Sequence, residues 1–248
     1  MKVLLSGYGQ MGKMIERILI SRGHEVSCIV DPVVETATDK EITTAKLADA
    51  DVVIDFSSPA AVLKNCKAYA MGSTPVVLGT TGWGDKRAEI EDMIKKAGIG
   101  FVWGSNFSIG AHMLFKLASY AAKLSNAVPE YDIMIHEMHH KLKKDSPSGT
   151  AITLAEKVLA ASDRKTKIVT ECLDRRIEPE ELHVSSTRGG SIPGIHTLYL
   201  DSPADTIEVS HSARSREGFA LGAVMAAEWI KDKKGFYSVE DFIKEILP

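Results

Sequence analysis

Residues 136–151 read His-Glu-Met-His-His-Lys-Leu-Lys-Lys-Asp-Ser-Pro-Ser-Gly-Thr-Ala, which crowds three imidazoles, three lysines and two carboxylates into one stretch. Imidazole titrates near neutrality, so His139 and His140 are candidates for moving protons. Lys143 offers a cation to hold an anion. Ser148-Gly149-Thr150 reads as a helix start, where free N–H groups, a Thr hydroxyl and the positive end of the helix dipole make a carboxylate site. An acid, a cation and an anion cradle side by side suit reduction of a C=C or C=N bond by hydride, because hydride delivery builds negative charge that a general acid must quench. His136, Glu137 and His140 also spell the H-E-x-x-H of zinc proteases, which has meaning only on a helix. The preceding Tyr131-Asp132-Ile133-Met134-Ile135 alternates at period two and predicts a strand. Residues four apart on a strand lie ~13 Å from one another, too far for one zinc to bridge. No metal is expected. His136 is read as a strand residue with a structural hydrogen bond, and His183 and His196 as satisfied histidines. Arg188 and His196, flanking a glycine-rich turn, could assist anion binding.

A second constellation lies at the start of the chain. Gly7-Tyr8-Gly9-Gln10-Met11-Gly12 follows the apolar run "KVLLS" and precedes a helical pattern. That is G-x-G-x-x-G in its working context, where glycines permit a tight turn and let a pyrophosphate approach the helix N-terminus. Asp31 ends the next apolar run, as expected for an acid that accepts hydrogen bonds from ribose hydroxyls. A 2′-phosphate would be repelled by Asp31 and would want an adjacent Arg or Lys, but Pro32, Val33 and Val34 follow. NADH is therefore the expected cofactor, with NADPH use possible through Lys40 or Arg22. Gly79-Thr80-Thr81-Gly82 and Gly104-Ser105-Asn106-Phe107 each end a later apolar run, where ligands of such sheets bind.

These groups need a scaffold, and two styles of patterning supply it. Up to about residue 106, short Val/Ile/Leu runs alternate with helical segments (10–21, after Pro59, 85–96), which predicts a Rossmann-like, doubly wound parallel sheet covered on both faces. After a helix over 108–126 the chain is strand-rich, with "EYDIMIHEMHH", "ELHVSSTRGG", "GIHTLYLDS" and "DTIEVSHSA" interrupted by an amphipathic helix from about Gly149 to Ala161. A smaller α+β substrate domain is expected there, built on a mixed or antiparallel sheet. The predicted division is 1–106 as dinucleotide-binding domain, 107–213 as substrate-binding domain, and 214–248 as helices returning to the first.

Composition narrows the partners. The net charge is −3 over 248 residues, so no basic excess points to nucleic acid or a membrane surface. Three scattered cysteines without C-x-x-C spacing favour reduced thiols, and no charged leader or apolar span is read, so a cytoplasmic protein acting on a small polar molecule is expected.

These residues resemble the 4-hydroxy-tetrahydrodipicolinate reductase family, also called dihydrodipicolinate reductase, of lysine and diaminopimelate biosynthesis. The family signature E-[LI]-H-H-x-x-K-x-D-A-P-S-G-T-A is matched by Glu137 through Ala151, with Met138 at the aliphatic position and Ser146 for Ala. The G-T-T-G of residues 79–82, the N-F-S-x-G of residues 106–110 and "RGGSIPGIH" follow in family order. The resemblance implies that His139 is the proton donor and acceptor, Lys143 a second donor and carboxylate partner, and His140 a substrate contact. It implies that Gly149 and Thr150 hold a carboxylate of a cyclic dicarboxylate substrate. It further implies cofactor contacts at Gly7, Tyr8, Gly9, Gln10, Met11, Gly12, Asp31, Gly79, Thr80, Thr81, Gly104, Ser105, Asn106 and Phe107, use of NADH or NADPH, and a homotetramer, with residues 107–213 as the substrate-binding and tetramerisation (oligomerisation) domain. One departure stands out: many members carry a longer first loop, G-x-x-G-[RK]-M-G, with a basic residue where this chain has Gln10. Another Rossmann dehydrogenase, or a nucleotide sensor that has lost its chemistry, are the rival readings, and turnover discriminates the sensor.

Overall fold

The computed structural model describes residues 1–247. In chain order its first elements are β1 (Lys2–Ser6), α1 (Gln10–Ser21), β2 (Glu25–Val30), α2 (Thr44–Ala48), β3 (Val52–Asp55), α3 (Val62–Met71), β4 (Val76–Leu78), a 3-10 turn at Gly84–Lys86, α4 (Arg87–Ala97) and β5 (Gly100–Trp103). There follow α5 (Ile109–Ser125), β6 (Asp132–His139), α6 (Gly149–Leu159), β7 (Lys167–Val169), β8 (Glu181–Arg188), β9 (Ile195–Asp201), β10 (Thr206–Ser212), α7 (Glu217–Ile230), β11 (Gly235–Ser238) and α8 (Val239–Ile246). The chain forms two compact units, Met1–Ile109 together with Arg216–Pro248, and Gly110–Ser215.

The first unit is a six-stranded parallel sheet in the order β11-β5-β4-β3-β1-β2. Its central strands are apolar on both faces, as burial on both sides demands. Val3, Leu5, Ile54 and Val102 face a core completed by Ile15 and Leu19 of α1, a run of alanines from α7, and Phe242 of α8. Leu4, Val53, Val76 and Phe101 face Cys66 and Tyr69 of α3 and Ile90 and Ile94 of α4. This is a Rossmann-like doubly wound fold, and its strand order reverses between β1 and β3. That reversal is the topological switch point where open α/β sheets bind ligands.

The second unit carries a five-stranded mixed sheet in the order β10-β9-β6-β8-β7. β10, β9 and β6 pair antiparallel, whereas β6, β8 and β7 pair parallel. Ala111, Leu114, Phe115 and Ala118 of α5 and Leu154, Ala155 and Val158 of α6 cover one face, against Ile133, Ile135, Leu182, Val184, Leu198 and Leu200.

Three elements differ from the sequence reading. The segment between β2 and β3, where no helical pattern is read, contains α2 and an isolated bridge from Val30 to Asp39. β7 occupies three residues beside β8. β11, inside a stretch expected to be helical, adds an edge strand to β5. All four β11 residues are half-buried with no alternation, so the strand arises from sheet-edge pairing rather than from a local pattern.

Candidate active site

Two groups of residues gather, one in each unit. In the first, the loop after β1 turns sharply at Gly7, whose φ of +89° favours glycine and whose missing Cβ leaves room for the Phe56 carbonyl. Gly12 lies against the Gly7 carbonyl, so helix α1 packs tightly on the loop. Gly9 is different: a Cβ there would meet nothing within 4 Å, leaving its open side to the cleft. Helix α1 starts there with no side-chain cap and no acid in its first turn, so its N-terminal N–H groups keep their affinity for an anion.

The cleft above this helix has a volume of about 400 Å³ and is walled by Gly9, Gln10, Met11, Gly12, Phe56, Ser57, Pro59, Gly79, Thr80, Thr81 and Arg216. The first glycine loop and the loop after β4 are thus brought together. A buried carboxylate fixes that wall from below: Asp55 accepts from Thr80 Oγ1 at 3.0 Å, the Ser57 N–H at 2.9 Å, Asn65 Nδ2 at 3.0 Å and the Tyr69 hydroxyl at 2.8 Å. Arg216, which precedes α7, donates from Nη1 to the side-chain oxygen of Gln10. The cleft therefore has a cation although the glycine loop itself has none. Nothing in the local sequence marks Arg216, which reaches Gln10 only because α7 packs beside α1.

Other expected cofactor residues lie outside this wall. Tyr8 directs its hydroxyl to Glu16, which raises the phenol's pKa to about 12. Asp31 accepts from the N–H groups of Tyr8, Val33 and Val34 at 2.8–2.9 Å. Burial works to raise its pKa, but these donors outweigh it and hold the carboxyl below its usual range. Asp31 thus braces the glycine loop. Lys40 donates to the Val34 carbonyl at 2.8 Å, near enough to help depress Asp31, whereas Arg22 is held in a bidentate pair with Glu228. Gly104 packs on Val239. Ser105 is exposed, Asn106 accepts from the Ser108 N–H at 2.9 Å, and the Phe107 ring is buried 6.3 Å from that of Phe56.

The second group is built on β6. Strand alternation puts Ile133, Ile135, Glu137 and His139 on one buried face, so the core face runs directly into a carboxylate and an imidazole. The sheet register then recruits partners from neighbouring strands: His196 of β9 stands opposite Glu137, and Arg188 of β8 pairs with His139. Glu137 is fully buried, with His139 and His196 only 7% and 4% exposed, so every polar atom among them needs a partner. Nδ1 of His139 is hydrogen-bonded to Oε2 of Glu137. The other carboxylate oxygen accepts from Arg188 Nη2 at 2.6 Å and from the Ser148 N–H at 3.1 Å. Ser148 caps α6 through Oγ, which lies 3.1 Å from His196 Nε2. The rings of His139 and His196 meet edge to face at 5.2 Å.

Electrostatics follow from this burial. Desolvation pushes the His139 imidazole below its ordinary value, with Glu137 pulling the other way. His196 is pushed down to about 4, first by desolvation and then by repulsion from His139. Burial also opposes the Glu137 charge, but Arg188 and His139 keep it ionised. Donor atoms of Glu137, His139 and His196 lie within 4.8 Å of one another, the spacing of a metal site. Both carboxylate oxygens are already engaged, with the Arg188 charge on one of them, whereas Nδ1 of His196 is buried without a hydrogen-bond partner.

Beside this pair, Lys143 contacts Asp145 at 2.8 Å. Lys143 first, with the backbone N–H of Gly149 a minor contributor, keeps the Asp145 carboxyl below the usual range. A carboxylate of the protein thus sits on the cation, and beside the helix-α6 N–H, expected to receive one from a ligand. His140 is half-buried, its N–H bonded to the Ile192 carbonyl at 2.8 Å, and Thr150 is half-buried in the first turn of α6. His136, on the opposite face of β6, bonds Ser185 Oγ at 2.8 Å, as expected of a structural histidine. The site thus unites His139, Lys143 and Gly149 with three residues whose types and spacing assign them no definite role: Glu137, Arg188 and His196. Strand alternation could have flagged Glu137, two residues from His139 and on the same face. His196 arrives only through the pairing of β6 with β9.

Comparison with known proteins matches both units to one family. The family model for the dihydrodipicolinate reductase N-terminus matches residues 1–107, and that for the C-terminus matches residues 110–243. The 4-hydroxy-tetrahydrodipicolinate reductase of Christiangramia forsetii is 40% identical over 249 residues, covering 100% of this chain and 99% of the relative. That of Archaeoglobus fulgidus is 36% identical over 266 residues, covering 98% and 100%. In fold, the chain is similar to a dihydrodipicolinate reductase from Paenisporosarcina sp. TG-14 solved with dipicolinate bound, with a TM-score of 0.77, 20% identity and coverage of 97% and 98%. A probable dehydrogenase from Thermotoga maritima shares the fold at a TM-score of 0.61 and 12% identity, covering 98% and 93%. With both of its units matched by the two halves of one family and its full length aligned to those relatives, the chain belongs to the dihydrodipicolinate reductase family.

Proposed function

We propose that the protein reduces 4-hydroxy-tetrahydrodipicolinate to tetrahydrodipicolinate with NAD(P)H, in lysine and diaminopimelate biosynthesis. The observation that carries this reading is the buried His139, backed by a carboxylate and close enough to Lys143 to feel its charge. Bound NAD(P)H supplies the hydride to the unsaturated ring. His139 gives the proton that completes the reduction, and a dianionic ligand next to it raises the basicity that burial has lowered. Lys143 and the N–H groups of Gly149 and Thr150 hold one ring carboxylate, displacing Asp145 from Lys143. His140 contributes a further substrate contact.

The first unit is the dinucleotide-binding domain on this reading. The open side of Gly9, the uncapped start of α1 and the Arg216 cation fit a pyrophosphate. Gly7 through Gly12, Gly79 through Thr81 and Gly104 through Phe107 are its contact segments. NADH is the preferred form, because Asp31 repels a 2′-phosphate and only Val and Pro follow it. NADPH is accepted to the extent that Lys40 leaves the Val34 carbonyl. The second unit is the substrate domain, and it assembles the homotetramer. Support for self-association comes from Met113, Leu117, Tyr120 and Leu124, 49–63% exposed along one side of α5. A cytoplasmic setting fits the NAD(P)H requirement and the free Cys28, Cys66 and Cys172.

The test is the initial rate of NADH and of NADPH oxidation, with the product of a dihydrodipicolinate synthase reaction as acceptor. Rapid oxidation that is faster with NADH is expected. Faster oxidation of NADPH would overturn the Asp31 argument alone, and binding of both cofactors without turnover would overturn the reductase reading.

A further inference from the structure

The second unit holds a carboxylate that the proposed reaction does not itself use. Glu137 is the only acid in the described stretch of β6 that faces the core, and it is fully buried where a charge is costly. Such a group persists when every oxygen is engaged, and here each is. Oε2 takes the His139 Nδ1, while Oε1 takes Arg188 and the Ser148 N–H. Arg188 neutralises the carboxylate without touching the imidazole-facing oxygen, and Ser148 ties it to the start of α6.

This arrangement has a chemical consequence. An ionised carboxylate only accepts hydrogen bonds, so the His139 nitrogen facing it must carry the proton. The neutral ring is then the Nδ1–H tautomer, leaving Nε2 as the nitrogen that gains and loses a proton. Nε2 points toward Gly194, where a Cβ would stand 2.8 Å from it, so the absence of a side chain there leaves that nitrogen unobstructed. Building on the proton-donor reading of His139, we propose that Glu137 is its positioning residue: it fixes the Nδ1–H tautomer, aims Nε2 at the substrate, and supplies the counter-charge when the ring becomes imidazolium. The proton bound at Nε2 passes to the substrate ring as the hydride arrives, and His139 returns to the neutral tautomer. The Nδ1 proton stays in place throughout.

The groups that bear on His139 come from several elements. They are Glu137 on its own strand, Arg188 on β8, His196 on β9 with His211 of β10 behind it, and Lys143 in the following loop. Arg188, Lys143 and a protonated His196 all oppose the imidazolium, so Glu137 is the one neighbour among these that favours it.

The experiment uses the full-length protein labelled with 15N-histidine, the His139 signal being assigned by its loss in His139→Ala. The wild type should show a protonated, strongly hydrogen-bonded Nδ1 and an unprotonated Nε2 in the neutral ring. Glu137→Gln should mix the tautomers, move the His139 titration to lower pH, and lower kcat by about 10²- to 10⁴-fold with KM changed less than threefold. Glu137→Asp, which keeps the charge, should recover part of the loss. A wild-type ring protonated at Nε2 rather than Nδ1 would overturn the proposal without any variant having to fold. So would a Glu137→Gln enzyme with wild-type kcat and pH profile. His139→Ala separates the two readings: unimpaired turnover there overturns the proton-donor assignment, whereas a crippled His139→Ala beside an unimpaired Glu137→Gln overturns only the role of Glu137.

Discussion

Replacing His196 with Gln should change how the second unit responds to acid. The imidazole of His196 is 4% exposed and its pKa falls from an ordinary 6.5 to about 4, because burial and then His139 disfavour its charge. Below pH 6.5 the unfolded chain therefore binds a proton that the folded chain refuses. More protons on the unfolded state means that stability falls as pH falls, and the window runs from 6.5 down to about 4. At about 1.4 kcal/mol per pH unit, His196 alone removes about 3 kcal/mol, most of it before about pH 4.5 where carboxylates begin to titrate. His139 and His211, also lowered by burial, add to the fall in the wild type. Gln keeps an amide for Ser148 Oγ and does not titrate. Trp83, Trp103 and Trp229 all belong to the first unit, so tryptophan fluorescence is blind to this change. Hydrogen exchange of β6 and β9 peptides reads it instead, with β1 and β3 as internal reference. Between pH 7 and about pH 4.5 the wild type should lose about 10²-fold more protection than His196→Gln. Parallel losses in the two proteins would mean that His196 titrates normally when folded, and the case for a buried neutral imidazole would fail.

Arg216→Ala should weaken NADH binding by about 10- to 100-fold, the worth of a charge-assisted hydrogen bond, with turnover at saturating cofactor little changed. Titration of NADH fluorescence measures it. Gly194→Ala introduces a methyl group 2.8 Å from His139 Nε2, displacing the ring, and should lower kcat by about 10²-fold while cofactor affinity stays at the wild-type value. Asp145→Asn removes the carboxylate that occupies Lys143, so a dicarboxylate such as dipicolinate should inhibit the variant at several-fold lower concentration. Leu117→Asp, on the exposed side of α5, should convert the expected tetramer to smaller species on size exclusion without altering cofactor binding.

The parts of this molecule written in local periodicity were legible in advance. Tyr131 through Ile135 alternate, and β6 follows. Buried Val/Ile runs flank helical segments, and a doubly wound sheet follows. Gly7 through Gly12 carry their own turn chemistry. Less legible were features created when distant segments meet. Asp31 has the right place for a ribose ligand, yet the sequence does not reveal that three backbone N–H groups already claim its carboxylate. Arg216 lies 206 positions from Gln10, and only the packing of α7 beside α1 brings it to the glycine loop. Glu137 was hidden by its neighbours, because in a string of histidines and lysines a single acid looks like one more solvated charge. Its burial depends on β8 and β9 flanking β6, and on Arg188 arriving to neutralise it.

The first unit is assembled from two stretches of chain separated by the whole of the second. Emerging from a ribosome, residues 1–109 carry five strands of the sheet but lack the helix whose Ala220, Ala223, Val224, Ala227 and Ile230 seal one side of it. More than a hundred further residues must be made before that lid exists. During that interval Val3, Leu5, Ile54 and Val102 have only Ile15 and Leu19 of α1 from among their helical partners, and the rest of that sheet face lacks its cover. The amino-terminal sheet therefore cannot be completed until the carboxy-terminal segment exists, and its apolar face waits for α7 through the synthesis of the whole intervening unit.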